Sequence, residues 1–302
     1  MTDTIQQFSS LEQALHMLSG NSMKITARER VTGGDINEAT KLTLSDGTHI
    51  FMKSNPGKNV SFFLREAEGL AAIAKTGVIS TPQVLGCGEE AGEGAFLLLE
   101  FVERGRPRRD SQEILARQLA RMHQAGTEDF VTGGTYGFVQ DNYIGANPQV
   151  NTPCKSWVEF FRDCRLKPQF RQASGYFQEE ERKKITKLLE RAEDILVEPE
   201  YPSLVHGDLW AGNVMTGSDG LAWLTDPAAY VGHREADLAM TELFGGFSRR
   251  FYEEYREAAP LQPGYEKRKD FYNLYHLLNH LNLFGRGYLS SVRRIVEEYY
   301  GF

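Results

Sequence analysis

The run His206-Gly207-Asp208-Leu209-Trp210-Ala211-Gly212-Asn213 sets an aspartate and, five positions on, an asparagine in one loop between apolar stretches. Asp226 follows, after the strand-like run 221–225. These are the parts that phosphoryl transfer needs. One carboxylate orients the attacking hydroxyl and accepts its proton, while an amide oxygen and a second carboxylate hold magnesium against the phosphates of ATP. Magnesium takes oxygen ligands, keeps several waters and uses few protein groups. Asp208 is therefore the candidate base, and Asn213 and Asp226 are the candidate metal ligands. A lone Asp or Asn in a loop is first of all a turn residue; the order and spacing of the three together argue for a site. His206 reads as structural, hydrogen-bonding the loop. Asp237 reads as a cap or brace for the loop rather than a ligand. Trp210 either anchors the loop or turns an apolar face to the phosphate acceptor.

A second pair lies upstream. Lys53 ends the apolar strand 50–52, and Glu66 lies on the helix expected over Ser61–Lys75, with Ser61 as N-cap and Gly77 as stop. At about 100° per residue, Phe62, Phe63, Leu70 and Ile73 all fall within about 60° of Glu66. A carboxylate in the middle of an apolar stripe needs a partner, and Lys53 is the natural one; Glu68 points to the polar face. Thr32-Gly33-Gly34-Asp35-Ile36-Asn37, before the strand that bears Lys53, could lay backbone N–H groups over phosphates, although a plain hairpin turn has the same composition. Leu99-Glu100-Phe101-Val102 would be a hinge strand whose backbone meets the adenine edge. On this reading Gly33, Gly34, Asp35, Ile36, Asn37, Lys53, Glu66, Glu100, Phe101 and Val102 line the ATP site.

The elements that must position these groups fall into two parts. Residues 1–102 read as strand-rich with one helix: strands near 23–31, 40–44, 49–53, 83–88 and 95–102, with Asp46-Gly47 as a hairpin turn. Phe96 to Leu99, continuously apolar, suits a strand buried on both faces. Residues 103–302 read as mostly helical, with helices near 110–122, 157–171, 178–196, 236–244, 247–259, 267–284 and 291–300, and short strands over 204–225. The expected fold is α+β and two-lobed, with a strand-rich ATP-binding lobe and a helical catalytic and acceptor-binding lobe.

A chain of 302 residues, 41% hydrophobic, has apolar material enough for two such parts. Its 34 Lys and Arg against 41 Asp and Glu give a net charge of -7, which disfavours general binding to nucleic acid or anionic membranes. Three scattered cysteines argue against a disulfide framework and for a reducing compartment. With neither an apolar signal core nor a membrane-length run, a cytoplasmic protein is expected.

The residues, in this order, resemble the fructosamine kinase (ketosamine-3-kinase) family, relatives of the aminoglycoside phosphotransferases with a protein-kinase-like fold. The resemblance is carried by Thr32 to Asn37, Pro148-Gln149-Val150-Asn151, Trp157 with Phe160-Phe161 and Arg165-Leu166, Val205 to Val214, Asp226-Pro227-Ala228 with Tyr230, Gly232 to Ala239, and Leu243-Phe244-Gly245-Gly246-Phe247. His-Gly-Asp stands where protein kinases have His-Arg-Asp, and Asp-Pro where they have Asp-Phe-Gly. Asp35 departs from the cysteine that many relatives carry in the glycine loop, so thiol-based redox control is not carried over.

The resemblance implies ATP and Mg2+ as cosubstrates, with a free or protein-bound ketosamine as acceptor, phosphorylated at its third hydroxyl in a deglycation role. It implies Asp208 as base, Asn213 and Asp226 as metal ligands, and Lys53 with Glu66 at the phosphates. The residues alone reach only to phosphorylation of a hydroxyl. An aminoglycoside or a choline-like amine is the competing acceptor. A nucleotide-binding pseudokinase would lack Lys53, Asp208 or Asp226, and all three are present.

Overall fold

In a computed structural model, residues 5–19, 23–31 and 36–301 are described. The chain divides into two compact units, 1–111 with 214–226, and 112–213 with 227–302. The sequence reading puts the boundary at 102/103 and leaves 214–226 with the second part. Backbone hydrogen bonds account for the difference. Gly105 N–H donates to Thr216 O, Arg108 N–H to Gly220 O, and Leu224 N–H to Ser80 O. These stitch the hairpin of Val214–Thr216 and Ala222–Leu224 onto the N-terminal unit. Such long-range pairings leave no mark on local composition.

The first unit is built on six strands: β1 (Gln7–Phe8), β2 (Ile25–Arg30), β3 (Glu38–Leu44), β4 (His49–Asn55), β5 (Val84–Glu90) and β6 (Gly94–Glu100). They lie in the order β1-β5-β6-β4-β3-β2, antiparallel except for β1 on β5. Asp46-Gly47 makes the expected β3–β4 turn. Gly47 takes φ +88, Thr48 N–H donates to Asp46 Oδ1 at 2.9 Å, and Leu44 and Thr48 close the ladder. Alternation sorts the sheet's two faces. Leu42, Leu44, Ile50, Met52, Phe96 and Leu98 pack under helix α1 (Leu11–Ser19), with Leu11, Ala14 and Leu15. Lys53, of opposite parity, therefore faces the other way, toward helix α2 (Val60–Lys75). Phe96 to Leu99 are all buried, as a strand covered on both faces must be.

Three expectations are corrected here. Among the described residues the N-terminal part holds two helices where one is expected; in α1, Leu11, Ala14, Leu15 and Leu18 carry a helical stripe. The N-cap of α2 is Asn59 rather than Ser61, and the first N–H of the helix, at Val60, is met by Glu89 Oε2 at 3.0 Å from β5, a partner remote in sequence. Glu68, expected on the polar face, is partly buried against Arg65 at 2.8 Å. Gly77, at φ +68, ends α2 as expected.

The second unit is helical around a short strand pair. Ser203–Val205 runs antiparallel to Tyr230–Gly232, in the register Val205↔Tyr230. The expected single helix over 157–171 is in fact α-helix Trp157–Phe160, a π turn Phe161–Leu166, and α-helix Lys167–Gln172. A π turn takes in an extra residue and re-aims the side chains around it. Here Trp157, Phe160, Phe161 and Arg165 all become fully buried. The N-terminus of this segment is held by Ser156 and by Glu198, whose carboxylate accepts from the N–H of Trp157 and Val158.

Candidate active site

The loop after Val205 is fixed from beneath by one carboxylate. Asp237 accepts from the N–H of His206 at 2.7 Å and of Gly207 at 2.9 Å, and lies 3.1 Å from His123 Nε2. His123 Nδ1 in turn meets the Tyr255 hydroxyl at 2.7 Å. All of these groups are buried. Burial pushes the Asp237 carboxyl up, but the His123 ring and the loop N–H groups outweigh it and hold the group below its ordinary value. Asp237 lies in the first turn of helix Glu235–Leu243, where negative charge is favoured. It is the brace that the sequence suggests. Gly207 has to be glycine: its φ is +81, and a Cβ would meet Ala228 O at 2.1 Å.

Asp208 follows, partly buried. The Asn213 side-chain amide donates to Asp208 O at 2.8 Å and to Asp208 Oδ2 at 3.1 Å. The sequence spacing therefore does bring these two together. Burial pushes the Asp208 carboxyl up to about 7; the Asn213 hydrogen bond opposes this and the Asp237 charge adds to it. His206 is buried and structural, its Nδ1 accepting from the N–H of Asp208 at 3.3 Å.

Trp210 is not a core anchor. It is 40% exposed, lies over Gly212, and meets Phe244 edge-on at 6.3 Å. Gly246, at φ +94, lies against Ala211, where a Cβ would clash at 2.4 Å. The Leu-Phe-Gly-Gly-Phe segment is thus shaped to fit the loop that bears Asp208. Phe244 continues to His280 at 5.0 Å, and His280 to Phe284 and Tyr288. This ring series escapes a sequence reading because His280 lies on the helix Tyr265–Phe284, far along the chain.

In the first unit, Lys53 meets Glu66 at 2.6 Å, the pair expected from the α2 stripe. Lys53 also pairs with Asp226, which the sequence reading did not anticipate. The Asp226 side chain is 46% exposed and its backbone takes φ +54, the one positive φ outside glycine among the described residues. Thr32, Gly33, Gly34 and Asp35 lie outside the described residues. Ile36 and Asn37 are tethered to Asn55, whose amide donates to Ile36 O at 3.1 Å and Asn37 Oδ1 at 3.0 Å. Glu100 ends β6 with its N–H on Gln83 O and its carboxylate on Gln83 N–H. Phe101 and Val102, beyond the strand, are half-buried, and Phe101 packs against His49 and Lys41.

Asn213 and Asp226 offer an amide oxygen and a carboxylate, hard donors of the kind magnesium takes, so their chemistry fits that ion. The other charged members of the His233-Arg234-Glu235 stretch are accounted for structurally. Glu235 and Arg268 form a buried bidentate pair at 2.7 and 2.9 Å, and Arg234 meets Pro260 O and the Tyr201 hydroxyl.

Comparison with known proteins gives the family and the fold. The sequence pattern described as fructosamine kinase matches residues 7–301. A probable ketoamine kinase of Synechocystis is 38% identical over 96% of each chain. A chloroplastic protein-ribulosamine 3-kinase of Oryza sativa subsp. indica is 39% identical over 94% of this chain and 81% of its own. A Haemophilus somnus structure described as a fructosamine-3-kinase superposes with a TM-score of 0.84 at 31% identity, covering 96% of each chain. An aminoglycoside phosphotransferase, 14% identical with a TM-score of 0.62, shares the fold. The architecture is therefore the α+β protein-kinase-like one, a strand-rich N-terminal sheet with a helical C-terminal part. Within that class, the chain belongs to the fructosamine kinase family. Among the described residues no helix is long and apolar enough to cross a membrane.

Proposed function

We propose that the protein is an ATP-dependent ketosamine 3-kinase that phosphorylates a fructosamine or ribulosamine, free or protein-bound, as a deglycation step in the cytoplasm. The observation that carries the reading is Asp208, bonded to Asn213 and braced by Asp237, in a chain matched to the family from end to end. Asp208 orients the acceptor hydroxyl and takes its proton as the oxygen–phosphorus bond forms and the bond to the β-phosphate oxygen breaks. Lys53, held by Glu66, serves the phosphates, with the glycine loop 32–37 covering them and the stretch 100–102 beside the adenine. Asn213 and Asp226 would hold Mg2+, which when bound neutralises phosphate charge. Trp210 turns its exposed face to the acceptor sugar.

A ketosamine product has a distinctive fate. Its C2 carbonyl acidifies the C1 hydrogens, and a phosphate on C3 then leaves by β-elimination from the enolised form; water hydrolyses the C1 imine that remains, giving a dicarbonyl sugar and the free amine. Phosphates of kanamycin or choline have no such carbonyl. The test is ADP release with fructose- and ribulose-amine adducts, kanamycin and choline in parallel, followed by phosphorus NMR of the product over hours. ADP release with a ketosamine, and slow appearance of inorganic phosphate, is the expected result. Turnover of kanamycin or choline alone, or a ketosamine phosphate that persists, sinks the reading.

A further inference from the structure

Arg165 is fully buried in the π turn, and among the described residues none of its hydrogen-bond partners is a carboxylate. Its guanidinium lies 3.9 Å from the Tyr230 ring centroid, 4.6 Å from Phe160 and 5.7 Å from Tyr275. It donates to Val150 O, to Cys164 O at 3.0 Å and to Asn151 Oδ1 at 2.7 Å. Burying a charge without a counter-charge costs several kcal/mol. An arginine kept only to fill space would be better replaced by an apolar residue of similar volume. What arginine adds is a rigid planar fork that stacks on rings and donates in fixed directions.

Those directions lead to one stretch of backbone. Asn151 Nδ2, fixed by Arg165 at its other end, donates to Asn142 Oδ1 at 2.8 Å, and Asn142 Nδ2 donates to Ala229 O at 2.8 Å. In parallel, the Tyr275 hydroxyl donates to Gln149 Oε1 at 2.7 Å, and Gln149 Nε2 donates to Ala228 O at 2.9 Å and to Asn142 Oδ1 at 2.8 Å. Asn142, Gln149, Asn151 and Tyr275 are all buried. In such a medium each hydrogen bond is strong and an unmade one is costly. Ala228 N–H donates to His206 O at 2.9 Å, so both carbonyls and one N–H of Ala228-Ala229 are held. Pro227, whose ring fixes φ, is all that separates this stretch from Asp226. Asp226 sits at φ +54, a conformation that costs an L-residue energy and persists only where its surroundings over-determine it.

We infer that Arg165, acting through Asn151, Asn142 and Gln149, is a positioning residue: it pins Ala228-Ala229 and so holds the left-handed backbone from which the Asp226 carboxylate is presented to the metal. This rests on the metal role proposed for Asp226. Arg165 is itself fully buried and acts through other side chains. Outer-sphere groups that orient a metal ligand typically govern affinity by about 10- to 100-fold.

The direct readout is Mn2+ binding to the full-length enzyme with ADP, followed by the EPR signal of free Mn2+, on protein shown by circular dichroism to be folded. Arg165→Met keeps volume and loses the fork; Arg165→Lys keeps charge and loses the fork. Both are expected to weaken Mn2+ binding by about 10-fold, with kcat falling alongside. Wild-type Mn2+ affinity in Arg165→Met, or its full restoration in Arg165→Lys, overturns the inference. If Arg165→Met does not fold, Asn142→Leu, which removes the bond to Ala229 and those from Asn151 and Gln149 but keeps Arg165 and its rings, is read in the same way. Asp226→Ala separates the two levels. A shift there with none in the Arg165 variants overturns the clamp alone, and no shift in either overturns the metal assignment beneath it.

Discussion

Lys53 and Asp237 are each held by more than one group, but by partners of different kinds. Lys53 lies between two carboxylates, Glu66 on α2 and Asp226 at the end of a hairpin, and Asp226 is nearly half exposed. Asp237 is wholly buried, and its partners are two backbone N–H groups and an imidazole. The lysine's contacts are side-chain carboxylates, which a polyphosphate can replace at little structural cost. The aspartate's contacts are the loop backbone itself, so nothing can displace them without unfolding the loop. The comparison separates a centre that must exchange partners with a ligand from one that must hold a base still while substrates come and go.

The largest expected effect tests the still side. Asp208→Asn should lower kcat by about 10²- to 10⁴-fold while ATP binding stays near wild type. Isothermal calorimetry with ATP and a turnover assay read the two quantities. Near-normal turnover would remove Asp208 from the chemistry and leave Asp237 bracing a loop with no job.

How far the sequence reaches follows from what is local in it. Asp208, Asn213 and the α2 stripe with Glu66 were legible because the groups lie within a turn or a helix of one another, and the Lys53–Glu66 pair followed from one buried charge needing another. The Asp226 contact to Lys53, the Glu89 cap of α2 and the His123–Asp237 bond join residues far apart in the chain, and no spacing announces them. The π turn reads as plain helix because its apolar positions keep nearly helical spacing while one extra residue turns Arg165 inward. Glu68 misled because a polar residue on a polar face can still be partly buried beside Arg65.

The exchangeable side is sharpened by a pair of stability and kinetic measurements. Glu66→Ala leaves Lys53 with Asp226, so it should cost less stability than Asp237→Ala, which strands two loop N–H groups in the interior. About 3 kcal/mol or more is expected for Asp237→Ala, and under about 2 kcal/mol for Glu66→Ala. Urea unfolding measures both. In kcat/KM for ATP, a cycle of Lys53→Met, Glu66→Ala and the double variant should show coupling of about 1 kcal/mol or more, the double losing less than the sum. Additive losses would mean that Glu66 acts on something other than the lysine. Equal stability costs at the two sites would erase the contrast between them.

The smallest effect concerns acid. His233 and His276 are buried in the second unit, and burial pushes each down to about 3. In the unfolded chain each titrates near 6.5. Below that value the unfolded state binds protons that the folded state refuses, so the sign is fixed: stability is lost as pH falls from 6.5 toward 3. Between pH 7 and 5.5 each histidine should cost about 1 kcal/mol. Asp237 does not contribute in this window, because a depressed carboxyl keeps its stabilisation until pH falls below the ordinary carboxylate range. Glu68 in the first unit, and Asp208 and Glu235 in the second, have the opposite sign, since burial raises these carboxyls and protonation favours the folded form. The histidine contribution is therefore read as a difference between two proteins that share those carboxyls. Urea unfolding at pH 7 and 5.5 should show the wild type losing about 1 kcal/mol more on acidification than His276→Asn. Equal losses in the two proteins would mean that water reaches this ring, and the second unit would lose its claim to be the sealed one.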